Sequence, residues 1–410
     1  MKRTTTVIIG AGQSGLAMSR ELSMTGVDHI ILERGQIANS WRNERWESLR
    51  LLSPNWMNGL PGLSYRGSDP EGYMHVSELV KNMEACADRI AAPIQSETRV
   101  VAVDGGPGHY TVQTDQGMIS CDSVVMANGA CAIPNVPGFA AQLPRTIQQF
   151  TPLNYKRPAQ LPDAKVLIVG ASASGLQLAR EIQLSGRQVV LAVGNHLRFP
   201  RRYRGTDISM WLEAIGATTI PYTQVDDITR VRRTPSLTLV ADDMIDLNAL
   251  QQIGVEVTGR LAIVQDGRAL FSGSLANLCA AADLKMNRLL ESIDRWINEN
   301  GLNELVGLRE RYAPTGVAAA PRLNIDLERD GFGAVLWTTG YRPDFSWLKL
   351  PVFDGKGTLM HDGGVVTEGL YAMGLPYLRQ RKSTFIDGAS DDAKALAIHL
   401  CAGLGHALAA

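Results

Sequence analysis

Two glycine-rich stretches lie 160 residues apart and read almost as copies. The first is Val7-Ile8-Ile9-Gly10-Ala11-Gly12-Gln13-Ser14-Gly15, the second Leu167-Ile168-Val169-Gly170-Ala171-Ser172-Ala173-Ser174-Gly175. The match runs on, with Glu21 against Glu181 and Gly26 against Gly186. In each copy a short apolar run ends in glycine and passes into residues with helical apolar spacing. That is the beginning of a β-α-β unit, and the unit calls for a parallel, doubly wound sheet. Glycines at this turn let backbone amides and the helix N-terminus approach a pyrophosphate. Two copies imply places for two dinucleotides, and hence electron transfer from one to the other.

The fold class expected is therefore α/β, with two doubly wound Rossmann-like dinucleotide-binding domains, the second inserted into the first. The first dinucleotide-binding domain is expected to be discontinuous, over 1–158 and 323–410. The NAD(P)H-binding domain is expected over 159–322, with an added substrate-side segment at 205–322. A Pro-rich stretch from Pro134 to Pro162 reads as the connection between them. Other expected elements are a helix over Val76 to Arg89 and strands over Arg99 to Val103, Tyr110 to Thr114, Met118 to Cys121 and Ser123 to Ala127. A helix is expected over Asn287 to Asn298. Ala334 to Gly340 repeats the strand-to-glycine form of Val124 to Gly129. Asp391 to Leu408 reads as a last helix packing back on the first domain.

Composition narrows the function classes. The formal net charge of −1 over 410 residues offers no footprint for nucleic acid or an anionic membrane. The apolar run at the N-terminus is too short for a signal or membrane helix. Five cysteines are widely spread and form no Cys-x-x-Cys pair, so neither a redox dithiol nor a metal site is expected. A reducing cytoplasm is the simplest compartment. A homodimer stays open as an assembly.

The two loops differ in chemistry. In the first, Gly10 serves the tight turn, Gly12 the close approach and Gly15 the helix–strand contact. Glu33 ends the next strand, where a carboxylate reads ribose hydroxyls. In the second, Ser172 takes the middle position and Val193 stands where Glu33 would be. Arg198, Arg201 and Arg202 follow. Loss of the acid with gain of guanidinium groups suits a 2′-phosphate, so NADPH is expected there, clamped by one of these arginines.

Trp41-Arg42 after Glu33, Ala127-Asn128-Gly129 with Pro134 and Pro137-Gly138, Thr338 to Leu348, and Gly369-Leu370-Tyr371 are further markers. With the N-terminal loop they make the chain resemble the flavin-containing monooxygenase family and its bacterial YUCCA-like relatives. The resemblance implies FAD at the first loop and NADPH at the second. It implies a flavin-dependent monooxygenase whose C4a-(hydro)peroxyflavin oxygenates a small organic substrate with O2. Gln13, Ser14, Arg34, Trp41, Arg42, Val101, Asn128, Gly129, Ala173, Ser174, Gly340 and Ser390 join the cofactor-binding set on the same ground; no catalytic side chain is assigned. Three features depart from the family pattern. The fingerprint before the second loop has Thr151 at its histidine position when anchored on Tyr155. Trp46 to Trp56 has no Asn in register, though Asn55 lies nearby. Asn128 replaces a Thr. These departures leave open a flavin reductase or oxidase that inserts no oxygen, and a non-catalytic redox sensor.

Overall fold

The computed structural model describes residues 2–232, 234 and 245–405. Strands and helices are numbered in chain order. β1 (Lys2–Ile9) leads into α1 (Gln13–Met24) and β2 (His29–Leu32), with Ile8 opposite Ile31 in a parallel pair. After a short helix α2 (Asn39–Asn43), α3 (Val76–Arg89) occupies the span expected from its apolar spacing. His75 caps it: its ring accepts the Ser77 amide, while the Glu78 carboxylate accepts the His75 amide. β3 (Ile94–Gln95) extends the sheet beyond β2.

β4 (Val100–Asp104), β5 (Tyr110–Thr114) and β6 (Gly117–Met126) follow as an antiparallel meander. The two strands expected at 118–121 and 123–127 are one. β6 serves two kinds of partner along its length. Its first half pairs antiparallel with β5, and nearly its whole length lies parallel to β1.

The chain then leaves the first sheet through β7 (Ile133–Pro134) and enters the second with β8 (Gln148–Phe150). β9 (Lys165–Val169), α4 (Ala173–Leu184) and β10 (Val189–Ala192) form the second β-α-β unit. A hairpin of β11 (Arg202–Tyr203) and β12 (Thr206–Asp207) precedes α5 (Ile208–Ala214), α6 (Ile228–Arg232) and α7 (Leu247–Gln252). β13 (Glu256–Thr258) joins β10, and β14 (Leu261–Gln265) and β15 (Arg268–Phe271) begin a second meander. α8 (Leu275–Glu299) buries Leu275, Cys279, Ala282, Met286, Leu290, Ile293 and Ile297, one stripe at three- and four-residue spacing. The helix expected at 287–298 is its C-terminal half. β16 (Asn324–Asp326) completes the meander, and β17 (Phe332–Trp337) returns to the second sheet. β18 (Tyr341–Arg342) pairs with β7, and β19 (Val365–Thr367), β20 (Leu370–Ala372) and α9 (Gly388–Gly403) finish the first domain. Residues 406–408, the end of the expected last helix, lie outside the described residues.

The second sheet runs β13-β10-β9-β17-β8, and every pair in it is parallel. The parallel part of the first runs β3-β2-β1-β6-β20. The two orders match strand for strand; in the first the antiparallel meander β4-β5-β6 ends in the fourth strand itself, and in the second the meander β14-β15-β16 precedes the fourth strand, β17. The sheets therefore exchange chain before Gln148 and after Trp337, not at 158/159 and 322/323. The reason is packing. Ala334 pairs with both Val166 and Gln148, so β17 is an inner strand of the second sheet with four consecutive buried residues. Proline content marks the stretch between sheets but not the strand it contains. Leu336 is fully buried beside Ile168. Leu336→Ala is expected to lower unfolding free energy by about 2–5 kcal/mol, measured by denaturant titration followed through tryptophan fluorescence.

Candidate functional site

Each glycine loop is shaped by the end of the fourth strand of its sheet. Gly10 has φ +108°, and a Cβ there would lie 2.6 Å from the Ala127 carbonyl oxygen. A Cβ on Gly15 would lie 1.9 Å from the Gly10 carbonyl oxygen. The second loop repeats both contacts. Gly170 has φ +112° with Thr338 O at 2.5 Å, and Gly175 faces Gly170 O at 2.0 Å. Packing within the protein thus requires glycine at 10, 15, 170 and 175.

Gly12 is different. A Cβ there would meet nothing within 4 Å, and its φ of −90° suits any residue. The chain itself has no need of glycine at this point. Gly12 is the N-cap of α1 without a side-chain cap bond, and Leu16 donates the first intrahelical bond back to it. The amides of Gln13, Ser14 and Gly15 are thus available at the positive end of a 12-residue helix. A bare backbone beside free amides fits a pyrophosphate. Ser172 occupies the same place on α4, also without a side-chain cap bond.

Of the residues expected around the first loop, Glu33, Gln13, Ser14 and Trp41 are in contact with it or with one another. The buried Glu33 carboxylate accepts the Ala11 amide at 2.8 Å and the Gly35 amide at 3.2 Å, so its orientation is set by the loop. Trp41 Nε1 donates to Gln13 Oε1 at 3.1 Å, and the Arg45 guanidinium lies over the Trp41 ring at 5.3 Å. Gly374 closes the loop from the end of β20; a Cβ there would come within 2.8 Å of Ser14 Oγ. Asn128 donates to the Asp344 carbonyl at 2.9 Å, followed by Gly129 at φ +80°. Arg34 pairs with Glu44 and Arg42 with Glu84, both at the surface. Val101 is exposed on β4, and Ser390 sits half-buried in the first turns of α9. Near the second loop, Tyr341 lies beside Ser174, and Gly340 has φ +91° beside Asn135. The Asn135 amide donates to the Gly340 carbonyl, so the two inter-sheet strands are tied at this point.

The arginines expected to clamp a 2′-phosphate are placed otherwise. Arg198 is buried and donates to Asp246 Oδ2 at 2.7 and 2.9 Å, Asp283 Oδ1 at 2.7 Å and the Ala313 carbonyl at 2.8 Å. Arg201 is buried against Asp207 Oδ2, the Tyr73 hydroxyl and the Leu52 carbonyl, with its guanidinium 4.1 Å from the Tyr73 ring centre. A desolvated guanidinium must be fully paired, and both are paired inside the protein. Each is held facing its protein partners rather than an open binding site. Arg202 alone stays exposed, in a surface pair with Glu71.

Three side chains had no signal in the sequence. Lys156 Nζ donates to the carbonyls of Asn43 and Arg45, tying the segment after α2 to the second sheet. Tyr73 joins the Arg201–Asp207 pair from the first domain's side. Asp392, in α9, is 1% exposed, and neither carboxylate oxygen has a hydrogen-bond partner. Burial lifts its pKa to about 6. Trp46 is core, His75 is a helix cap, and both polar atoms of the Asn55 side chain are bonded to backbone. Thr151 forms a local turn with Asn154. All five cysteines are free, and among the described residues no His/Cys/Asp/Glu group has metal-binding geometry. No described helix is long and apolar enough to cross a membrane.

The profile of the family described as pyridine nucleotide-disulphide oxidoreductase matches residues 7–236. An uncharacterized CzcO-like oxidoreductase of Geobacillus kaustophilus is 28% identical over 394 residues, covering 95% of this chain and 96% of its own. The indole-3-pyruvate monooxygenase YUCCA1 of Oryza sativa is 30% identical over 204 residues, 48% of this chain and 50% of its own. Among solved structures, a flavin-containing monooxygenase from Stenotrophomonas maltophilia superposes with a TM-score of 0.68 at 18% identity, covering 98% of this chain and 99% of that one. This last likeness speaks to the fold.

The contrast among the glycines is testable. Gly15→Ala is expected to destabilise by several kcal/mol, since the Gly10–Gly15 contact cannot open without moving α1 off the strand. Gly12→Ala is expected to leave the melting temperature of flavin-stripped protein nearly unchanged while lowering the flavin retained on purification. Asp392 gives a pH prediction. Its folded pKa lies above the ordinary carboxylate value, so its contribution to stability is fully present below about pH 4 and is lost as pH rises through about 6. Asp392→Asn is expected to remove that decline, read as unfolding midpoints between pH 4 and 8.

Proposed function

Because the chain belongs to the pyridine nucleotide-disulphide oxidoreductase family, we propose that this oxidoreductase is an FAD- and NADPH-dependent monooxygenase. It would pass electrons from NADPH at the second loop to FAD at the first and use O2 to oxygenate a small organic substrate. The observation that carries the reading is Gly12, a glycine that its own protein's packing does not require, set among free helix amides in a duplicated fold.

FAD, when bound, supplies a two-electron carrier that reacts with O2. The protein's part is to bind, orient and exclude water. The amides of Gln13, Ser14 and Gly15 would hold the FAD pyrophosphate, and Glu33 its ribose. The Ala11 and Gly35 amides keep that carboxylate aimed. Trp41, Gln13 and Arg45 would wall the space between the loops, with Ser174 of α4 and Tyr341 of β18 on its other side. Ser172, in place of a glycine, would make the second pyrophosphate contact looser, which suits a nucleotide that enters and leaves. The cytoplasm is the proposed compartment.

A second reading is an NADPH oxidase or flavin reductase that inserts no oxygen. The turn at Thr151, where the resembling family carries a histidine, favours it. A form that relays electrons through a protein disulphide is not favoured, because the five cysteines are free and mostly buried.

The expected outcome for the first reading is rapid anaerobic bleaching of the flavin by NADPH. In air, substrate should divert NADPH oxidation from peroxide release to product. Oxygen-electrode and peroxide assays with a panel of small organic acids, thioethers and amines check this. Stoichiometric H2O2 whatever the substrate would remove the monooxygenase reading, and absence of anaerobic bleaching would leave only a non-catalytic redox sensor.

A further inference from the structure

The duplicated fold allows the two ribose positions to be compared atom by atom. In the first sheet the Glu33 amide donates to the Gln95 carbonyl at the end of β3. In the second the Val193 amide donates to the Thr258 carbonyl at the end of β13. Glu33 therefore corresponds to Val193, and Gln95 to Thr258. Two residues further on, Glu97 corresponds to Arg260. The pair of positions flanking each ribose site is Glu33 with Glu97 at the first loop. At the second it is Val193 with Arg260. Both acids are gone, and one is replaced by a guanidinium.

Arg260 is also placed by local geometry. Its Nε lies 3.6 Å from where a Cβ on Gly194 would sit. Gly194 is the residue after Val193, the counterpart of Arg34 in the first domain. A side chain at 194 would contend with the guanidinium; glycine leaves that space to Arg260. The Arg260 backbone is fixed, since Ser272 donates its amide to the Arg260 carbonyl at 2.8 Å. A Cβ on the preceding Gly259 would come within 1.9 Å of the Ser272 carbonyl oxygen, so the turn is closely packed. Arg260 is exposed, and among the described residues no carboxylate lies within salt-bridge distance of it. This contrasts with Arg198 and Arg201, whose donors are spent on buried carboxylates.

We propose that Arg260 is the residue that recognises the 2′-phosphate of NADPH, from the end of β13 across Gly194. The inference rests on the reading that the second loop takes a nicotinamide dinucleotide. The ribose of a dinucleotide laid on that loop falls at the C-terminal end of β10, where Val193 and Gly194 lie. Val193 offers no acceptor for a 2′-hydroxyl and no negative charge to repel a phosphate. Arg260 supplies a charge-assisted donor without a competing carboxylate. Specificity for the phosphorylated cofactor thus comes from the neighbouring strand and not from the loop that directly follows β10.

The test uses nucleotide fragments, so that it does not depend on turnover. The flavin-loaded protein is titrated calorimetrically with adenosine 2′,5′-bisphosphate and with 5′-AMP at pH 7.5. Wild type is expected to prefer the bisphosphate by about tenfold or more, the worth of one charge-assisted contact. Arg260→Gln should bring the preference to about twofold or less, with 5′-AMP affinity unchanged. Arg202→Gln, at the arginine in the surface pair with Glu71, should keep the wild-type preference. Persistence of the preference in Arg260→Gln, or its loss in Arg202→Gln, overturns the assignment. So does a wild type that binds both fragments equally, which leaves the dinucleotide loop standing. A wild type that binds neither fragment overturns the assignment and the reading beneath it together. The KM for NADPH should rise in Arg260→Gln while that for NADH stays put; a parallel rise of both would also count against it.

Discussion

Everything in this molecule depends on how closely a glycine turn can approach the end of a neighbouring strand. Gly10 lies against the Ala127 carbonyl, Gly170 against the Thr338 carbonyl, and Gly15 and Gly175 lie on the turns themselves. These contacts set the height of α1 and α4 over their sheets. They also set where the helix N-termini point, and so where an anion can be held. They couple residues more than 100 positions apart in sequence, since Gly10 is positioned by β6 and Gly170 by β17. A sheet that failed to bring β6 or β17 alongside its first strand would have no anion site. The fourth strand of each sheet is therefore part of the site.

The same packing explains the inserted arrangement. Both sheets use the order of five parallel strands, but they draw the outermost one from different places. The first takes β20 from the C-terminal end of the chain, and the second takes β8 from before its own β-α-β unit. Each sheet thus holds the chain on both sides of the crossing, and β7 pairs with β18 where the chain passes out and back. Polar ties reinforce the junction. Lys156 ties residues 43 and 45 to the second sheet, and Tyr73 reaches the Arg201–Asp207 pair. The tie at Arg201 is costly to break because either charge left alone would be desolvated.

The two loops, the helix at Val76–Arg89, the acid at Glu33 and the doubly wound class were legible because each rests on local chemistry. A turn needs glycine, a helix needs apolar spacing, and a ribose needs an acceptor at a strand end. The crossing points were not legible, because strand pairing is a long-range property. Nothing in Phe332–Trp337 says that its neighbours are 165–169 and 148–150 rather than a strand of the first sheet. The roles of Arg198 and Arg201 were hidden for a related reason. Their position just after β10 was visible, but Asp246, Asp283 and Asp207, which neutralise them, are brought in by the fold. Asp392 had no signal at all; an acid in the first turns of a helix reads as a solvated helix start, and only packing shows it dry.

Arg260 shows how duplication can recover what a single sequence motif cannot. Its surroundings, Thr258-Gly259-Arg260-Leu261, match no pattern with a mechanism. Its meaning comes from alignment through hydrogen bonds: Val193 to Thr258 repeats Glu33 to Gln95, and this register places Arg260 on Glu97. The first site keeps acids at both positions, Glu33 held by the Ala11 and Gly35 amides and Glu97 bonded to Gln36. The second keeps none and sets a guanidinium over Gly194. The electrostatic difference between the loops thus resides in the third strand of each unit as much as in the second. A pocket built so has its cofactor selectivity set by a residue on a rigid strand end, fixed by Ser272, while the loop after β10 is free to spend its own arginines on holding the fold together.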